Sequence, residues 1–159
     1  IISILHNLSP DQNRFNVTEQ LRQVIALPDK KWSDKGIVIA FDCEEVFYTG
    51  NEELLKQVWI NLIDIAIKFS PQGEEIDIII RESGEFLTVS FTNKGEPVPT
   101  PVLTHIFDKF YQADISHATQ GNGLGLAIAQ KIAKLHGGTI TVPRSDAEGT
   151  VFEVVLPRK

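Results

Sequence analysis

The chain is predicted to fold as an α+β two-layer sandwich, a mixed and mostly antiparallel sheet of about five strands with three main helices on one face. Three observations point there. Three long segments carry apolar residues at helical spacing, and about five short ones carry β-branched and aromatic residues between turn signals. The strands are joined by tight turns rather than by the helical crossovers of a βαβ repeat. With 159 residues, 42% of them hydrophobic and 23% charged, the chain is long enough to bury a core of its own.

The elements follow in order. Residues 1–8 (IISILHNL) read as the last turns of a helix arriving from upstream, ended by Ser9-Pro10-Asp11. Residues 18–27 place Leu21, Val24, Ile25 and Leu27 on one helix face, with Thr18 as the N-cap and Pro28 as the stop. Residues 36–42 (GIVIAFD) form a strand. Residues 51–69 form the longest helix, capped by Asn51, with Glu52 and Glu53 in the first turn where they suit the dipole. Ser70-Pro71-Gln72-Gly73 ends it. Residues 76–81 and 86–93 are strands of a hairpin turning at Glu82-Ser83-Gly84-Glu85. Pro97, Pro99 and Pro101 make a loop, residues 102–110 a short helix, and polar residues 114–123 a mobile loop. A helix over 124–136 closes at Gly137-Gly138, and strands over 139–142 and 150–156 flank a turn at 146–149.

Composition excludes several classes of function. A net charge of −6 argues against a nucleic-acid binder, and no apolar run reaches the ~18 residues of a membrane-spanning helix. Cys43 is the only cysteine, so no intrachain disulfide or cysteine zinc cluster forms, and the thiol is expected to be buried and inert. His6, His105, His117 and His136 do not have metal-ligand spacing. The absence of methionine and the start at Ile1 lead us to expect a piece of a longer protein.

The segment richest in chemical implication is Gln120-Gly121-Asn122-Gly123-Leu124-Gly125-Leu126-Ala127, which opens into a helix. Alternate glycines let backbone approach a phosphate, and the free amides at a helix start attract negative charge. Taken alone, such a run equally suits a plain glycine-rich helix cap. Four segments taken together resemble one family: residues 58–70 (N box), 92–98 (first glycine box), 105–111 (HIFDKFY, F box) and 121–126 (second glycine box). They are similar to the catalytic and ATP-binding domain of sensor histidine kinases, in the GHKL superfamily with the Bergerat fold. The likeness extends over residues 16–157.

The resemblance implies an ATP site with Mg²⁺. Gly121, Gly123 and Gly125 would cradle the phosphates, with Leu124 in the same box. Asn61 would lie near Mg²⁺ and the triphosphate, and Lys68, two turns on, would meet phosphate charge. Asn93 and Gly95 stand in the first glycine box, Asn93 where the family places the residue that accepts the adenine amino group. Thr150 matches a hydroxyl near adenine. Phe107, Phe110 and Tyr111 of the F box, with His117 in the lid, would hold the lid against the body. Residues 1–10 would be the tail of a dimerisation helix and 11–159 the catalytic domain.

Three positions depart from the family pattern. Ile65 stands where the metal-coordinating asparagine belongs, and an isoleucine supplies no oxygen ligand. It also falls in register with Val58, Leu62, Ala66 and Phe69, as a core residue would. Asn93 replaces an aspartate, keeping an acceptor without the charge. Pro97 replaces the second glycine and removes an amide. Two functions are therefore open: a kinase domain supplying ATP phosphate to a histidine on a partner helical domain, or a non-catalytic regulatory module that keeps the fold with weak or no nucleotide binding. A hydrolysing relative would need a general-base glutamate where Asn61 stands. The resemblance further implies a phosphoacceptor helical domain and, indirectly, a response regulator as partners. It implies a cytoplasmic portion of a bacterial sensor anchored in the membrane elsewhere, and an isolated domain that is monomeric.

Overall fold

The computed structural model describes residues 13–26, 36–41, 43–95 and 125–158. In chain order these form β1 (Asn13–Asn16), α1 (Val17–Ile25), β2 (Val38–Phe41), β3 (Phe47–Gly50), α2 (Glu52–Lys68), β4 (Glu75–Ser83), β5 (Phe86–Asn93), α3 (Gly125–Leu135), β6 (Thr139–Asp146) and β7 (Gly149–Pro157). The main sheet has the order β2-β4-β5-β7-β6, and β1 pairs with β3 in a separate two-stranded sheet. Strand β2 lies parallel to β4, and the other neighbours in both sheets are antiparallel. This is the mixed, mostly antiparallel sheet with three helices that the sequence predicts.

Period-two alternation builds the interface between the layers. Ile76, Ile78 and Ile80 of β4, Leu87, Val89 and Phe91 of β5, and Phe152, Val154 and Leu156 of β7 are all buried. Helix α2 meets them with Leu55, Val58, Trp59, Leu62, Ile63, Ala66 and Ile67, and α3 with Leu126, Ala129, Ile132 and Ala133. Trp59 stacks on Phe91 with ring centroids 6.3 Å apart. Each such large side chain contributes about 1.5–3 kcal/mol on burial. On the opposite face Ile79 is exposed, beside polar Asp77, Ser90 and Thr92.

The start of α1 corrects one expectation. Asn16, not Thr18, is the N-cap: it has extended backbone angles and its side chain accepts the Glu19 amide at 2.9 Å. Thr18 lies inside the helix and is fully buried. Its hydroxyl donates to Glu44 O at 2.7 Å and accepts from Val46 N at 3.0 Å. A buried hydroxyl that satisfies two backbone groups of another segment is worth more there than at a helix end. Asn51 does cap α2, accepting the Leu54 amide at 2.9 Å.

Strands β1 and β3 are additions to the sequence reading. Strand β6 runs to Asp146, four residues past its expected end, through a bulge between Thr141 and Arg144 that accommodates Pro143. Cys43 is half-buried rather than buried, with its thiol donating to Ile78 O at 3.4 Å. The expected helices over 1–8 and 102–110 and the loop over 114–123 lie outside the described residues.

Candidate functional site

Asn93, the last residue of β5, is fully buried at the end of the sheet. Its Nδ2 donates to the carbonyl oxygen of Phe69, which caps the C-terminal end of α2, at 3.3 Å. Its Oδ1 is buried without a hydrogen-bond partner. Reversing the amide would set oxygen against oxygen at Phe69, so the carbonyl fixes which end of Asn93 points onward. A buried acceptor left unsatisfied costs about 1–3 kcal/mol, a cost that suits an acceptor reserved for a ligand.

Thr150 stands directly opposite Asn93 in the β5–β7 ladder and is equally buried. Its Oγ1 lies 2.8 Å from Ser145 Oγ on β6, so the row of opposed residues runs Ile76, Asn93, Thr150, Ser145 across four strands. Two glycines permit this closeness. Gly149 has φ +132°, and a Cβ there would lie 2.4 Å from Asn93 O. Gly95 has φ +128°, and its Cβ would meet Pro71 Cδ at 2.6 Å. The end of α2, the end of β5 and the start of β7 thus converge.

Helix α2 carries the remaining described candidates. Asn61 is half-buried and its Oδ1 accepts from Gln57 Nε2 at 2.8 Å, one turn earlier. Ile65 is half-buried and packs against the core cluster. Lys68 is half-buried in the last turn, next to Phe69. Helices α2 and α3 pack together and meet at opposite ends, where the Asn51 amide donates to His136 Nε2 at 3.0 Å. They therefore run antiparallel. About ten residues along each helix, a rise of about 15 Å, brings Asn61 level with the start of α3 at Gly125 and Leu126. Lys68, Asn93, Gly95 and Thr150 thus lie where the end of α2, the end of β5 and the start of β7 converge, while Asn61 stands about two turns earlier on α2. Pro97, Phe107, Phe110, Tyr111, His117, Gly121, Gly123 and Leu124 lie outside the described residues.

Sequence reasoning missed the Phe69 carbonyl, Ser145 and the steric role of Gly149. Gly149 reads locally as a turn glycine, and nothing near it in sequence signals its contact with a strand more than fifty residues away.

His136 is half-buried where the C-terminal end of α3 meets the start of α2. Its Nδ1 donates to Ile132 O at 2.9 Å while Nε2 accepts from Asn51, which sets the neutral tautomer. Burial pushes its pKa below the ordinary value, opposed by the Ile132 carbonyl.

The unpartnered Asn93 Oδ1 suits the exocyclic amino group of an adenine. Magnesium fits poorly: the Asn61 oxygen already serves Gln57 and Ile65 offers no oxygen. Among the described residues no three His, Cys, Asp or Glu side chains gather to hold a metal.

Comparison with known proteins agrees with the architecture. The family described as histidine kinase-, DNA gyrase B- and HSP90-like ATPase matches residues 50–159. The heme sensor protein HssS of Staphylococcus saprophyticus is 34% identical over 144 residues, 91% of this chain and 31% of that protein. The chain spans about a third of the length of the curated relatives it matches. The catalytic domain of histidine kinase ThkA superposes with a TM-score of 0.81 at 31% identity, covering 93% of this chain and 96% of that one. ThkA in complex with the response regulator TrrA gives a TM-score of 0.77 at 28% identity, covering 94% of this chain and 42% of that one. The chain belongs to the histidine kinase-, DNA gyrase B- and HSP90-like ATPase family, as a domain of the histidine-kinase catalytic kind.

Proposed function

We propose that this domain binds an adenine nucleotide and serves a two-component sensor as its catalytic part, supplying ATP phosphate to a histidine on a helical domain that contacts a response regulator. The observation that carries this reading is the fixed, buried and unsatisfied Asn93 Oδ1 beside Thr150. Asn93 accepts an adenine amino proton, and the Thr150 hydroxyl lies beside it. Gly95 shapes the adjoining loop. The segment holding Gly121, Gly123, Leu124 and Gly125 receives the phosphates at the start of α3, with Lys68 contributing positive charge. On the family resemblance we assign Phe107, Phe110 and Tyr111 to anchoring the lid and His117 to the lid itself. In the full-length protein this is a cytoplasmic portion of a sensor anchored elsewhere in its chain.

We further propose that catalysis is impaired. Bound Mg²⁺ would neutralise phosphate charge, and phosphoryl transfer depends almost wholly on such positioning and neutralisation. Ile65 removes a ligand, Asn93 lowers the charge at the base and Pro97 removes an amide from the loop. Ile65 packing against the core favours the second reading, a non-catalytic module with weak or no nucleotide binding that keeps its contacts with the helical domain.

Calorimetric titration with ADP and GDP tests the binding claim. Expected is ADP binding that is roughly ten- to a hundredfold tighter than GDP, because a 6-oxo group meets Asn93 Oδ1 acceptor to acceptor. Asn93→Leu should lower ADP affinity by a similar factor. Equal binding of ADP and GDP, or full affinity in Asn93→Leu, would overturn it.

A further inference from the structure

We propose that His136 is a positioning residue for this nucleotide site, holding the N-terminus of α2 against the C-terminus of α3 only while its imidazole is neutral. The inference rests on the nucleotide reading above. Its starting point is a junction of four elements. His136 Nε2 accepts the Asn51 amide at the start of α2, and Nδ1 donates to Ile132 O within α3. The Tyr48 ring of β3 packs beside the imidazole with centroids 6.3 Å apart. The Tyr48 hydroxyl donates to Pro157 O, at the end of β7, at 3.1 Å. The fit is close: a Cβ on Gly50 would lie 2.9 Å from His136 Cδ2 and 2.8 Å from Tyr48 Cε2.

The junction sets the axial offset of the two helices whose far portions frame the candidate site. A slip at Asn51 and His136 is carried along rigid helices to Asn61, and to Gly125 at the phosphate-facing start of α3. Protonation would place an Nε2–H against the Asn51 N–H, donor to donor, at the positive end of the α2 dipole. Facing the ring are Tyr48 from β3, the Asn51 amide from α2 and the Ile132 carbonyl from α3. Of the charged groups nearest along the chain, Lys134 in the last turn of α3 and Glu53 are exposed, Glu52 accepts from Asn13 and Arg158 pairs with Glu82. Among the described residues none of these offsets a charge on His136; burial holds its pKa low.

The test compares the native chain, His136→Gln and His136→Leu in ADP titrations from pH 7.5 to pH 5.5, with ¹⁵N spectra of the His136 ring and the Asn51 amide. Glutamine keeps an acceptor toward Asn51 but does not titrate in this range. Expected is a fall in ADP affinity of roughly fivefold or more for the native chain on acidification, beyond the fall seen in His136→Gln. That comparison cancels the titration of ADP itself. The ring should show Nδ1–H at pH 7.5, and the Asn51 signal should shift as the ring protonates. His136→Leu should bind ADP weakly at both pH values; should it fail to fold, the native and glutamine profiles still decide. Identical profiles for those two, or an Asn51 amide indifferent to ring protonation, would overturn the proposal. A chain with an intact Asn51–His136 signal that binds no ADP would overturn the nucleotide reading, and the positioning role with it, while leaving the clamp demonstrated.

Discussion

Asn93 and Thr150 face each other across β5 and β7 with both side chains sealed from solvent. They are held there by partners on opposite sides: the Phe69 carbonyl accepts from the Asn93 side-chain amide, and the Ser145 and Thr150 hydroxyls share a hydrogen bond. One polar atom in this arrangement, Asn93 Oδ1, is left over.

Asn93→Asp recreates the family residue but should destabilise this chain. Either carboxylate oxygen placed at Nδ2 would meet Phe69 O, at a position now occupied by a 3.3 Å hydrogen bond. We expect a loss of about 1–3 kcal/mol at pH 7. Burial and the carbonyl raise the folded-state pKa of the new carboxyl, so stability is retained below the ordinary carboxylate value and lost as pH rises through the raised one. Urea midpoints of variant and native chain, differing at pH 8 and converging toward pH 4, would check this.

Gly149→Ala should cost about 2–4 kcal/mol, from a left-handed φ and a Cβ driven into the rigid Asn93 carbonyl. Gly84→Ala is a control. Its φ of +58° also favours glycine, yet a Cβ there meets nothing within 4 Å, so its penalty should be the smaller. Chemical denaturation of the two variants separates clash from backbone strain.

Gln20 links α1 to α2 through two bonds. Its Oε1 accepts from Trp59 Nε1 at 2.7 Å and its Nε2 donates to Glu52 O at 2.8 Å. Gln20→Leu strands a buried indole N–H, so a loss of about 1–3 kcal/mol and an altered Trp59 emission maximum are expected. An unchanged unfolding midpoint would mean the bond contributes nothing net.

Two groups shape the acid limb of stability. The His136 pKa is depressed below 6.5 by burial, so the unfolded chain binds the proton more readily. Stability from this group is full above pH 6.5 and falls as pH drops through the folded-state value. The Glu45 pKa is depressed below 4.5 by hydrogen bonds from Arg22 and Asn16. Its contribution is present above pH 4.5 and is lost further down; as an exposed pair it is also weakened by salt. His136→Gln should flatten the upper step and Glu45→Gln the lower, as read from thermal midpoints between pH 3 and pH 8.

Much of the fold is legible in the sequence because the large elements carry repeated signals. Helix α2 announces itself with Asn51, two acidic residues and seventeen residues of amphipathic pattern. The β4–β5 and β6–β7 hairpins show alternation on either side of glycine-containing turns. By contrast, β1 and β3 are four residues each, rich in asparagine or ending in glycine, and are defined only by pairing with one another. Thr18 misleads for a related reason: a good capping residue near a helix start is indistinguishable, in sequence, from one used in a tertiary bond. At the site, the strand positions of Asn93 and Thr150 are legible, but not the Phe69 carbonyl that orients the amide. A backbone carbonyl has no sequence signature.

We propose that Ile65 removes the metal-dependent part of nucleotide binding while base recognition at Asn93 is kept. This is tested most directly by calorimetric titration of the native chain and of Ile65→Asn with ADP and ATP, each with and without Mg²⁺. Native-chain affinities are expected to change by less than about threefold on adding Mg²⁺. Ile65→Asn, about 1–2 kcal/mol less stable for losing a half-buried apolar side chain, should gain at least roughly tenfold when Mg²⁺ is present. Native-chain binding that requires Mg²⁺ would contradict it.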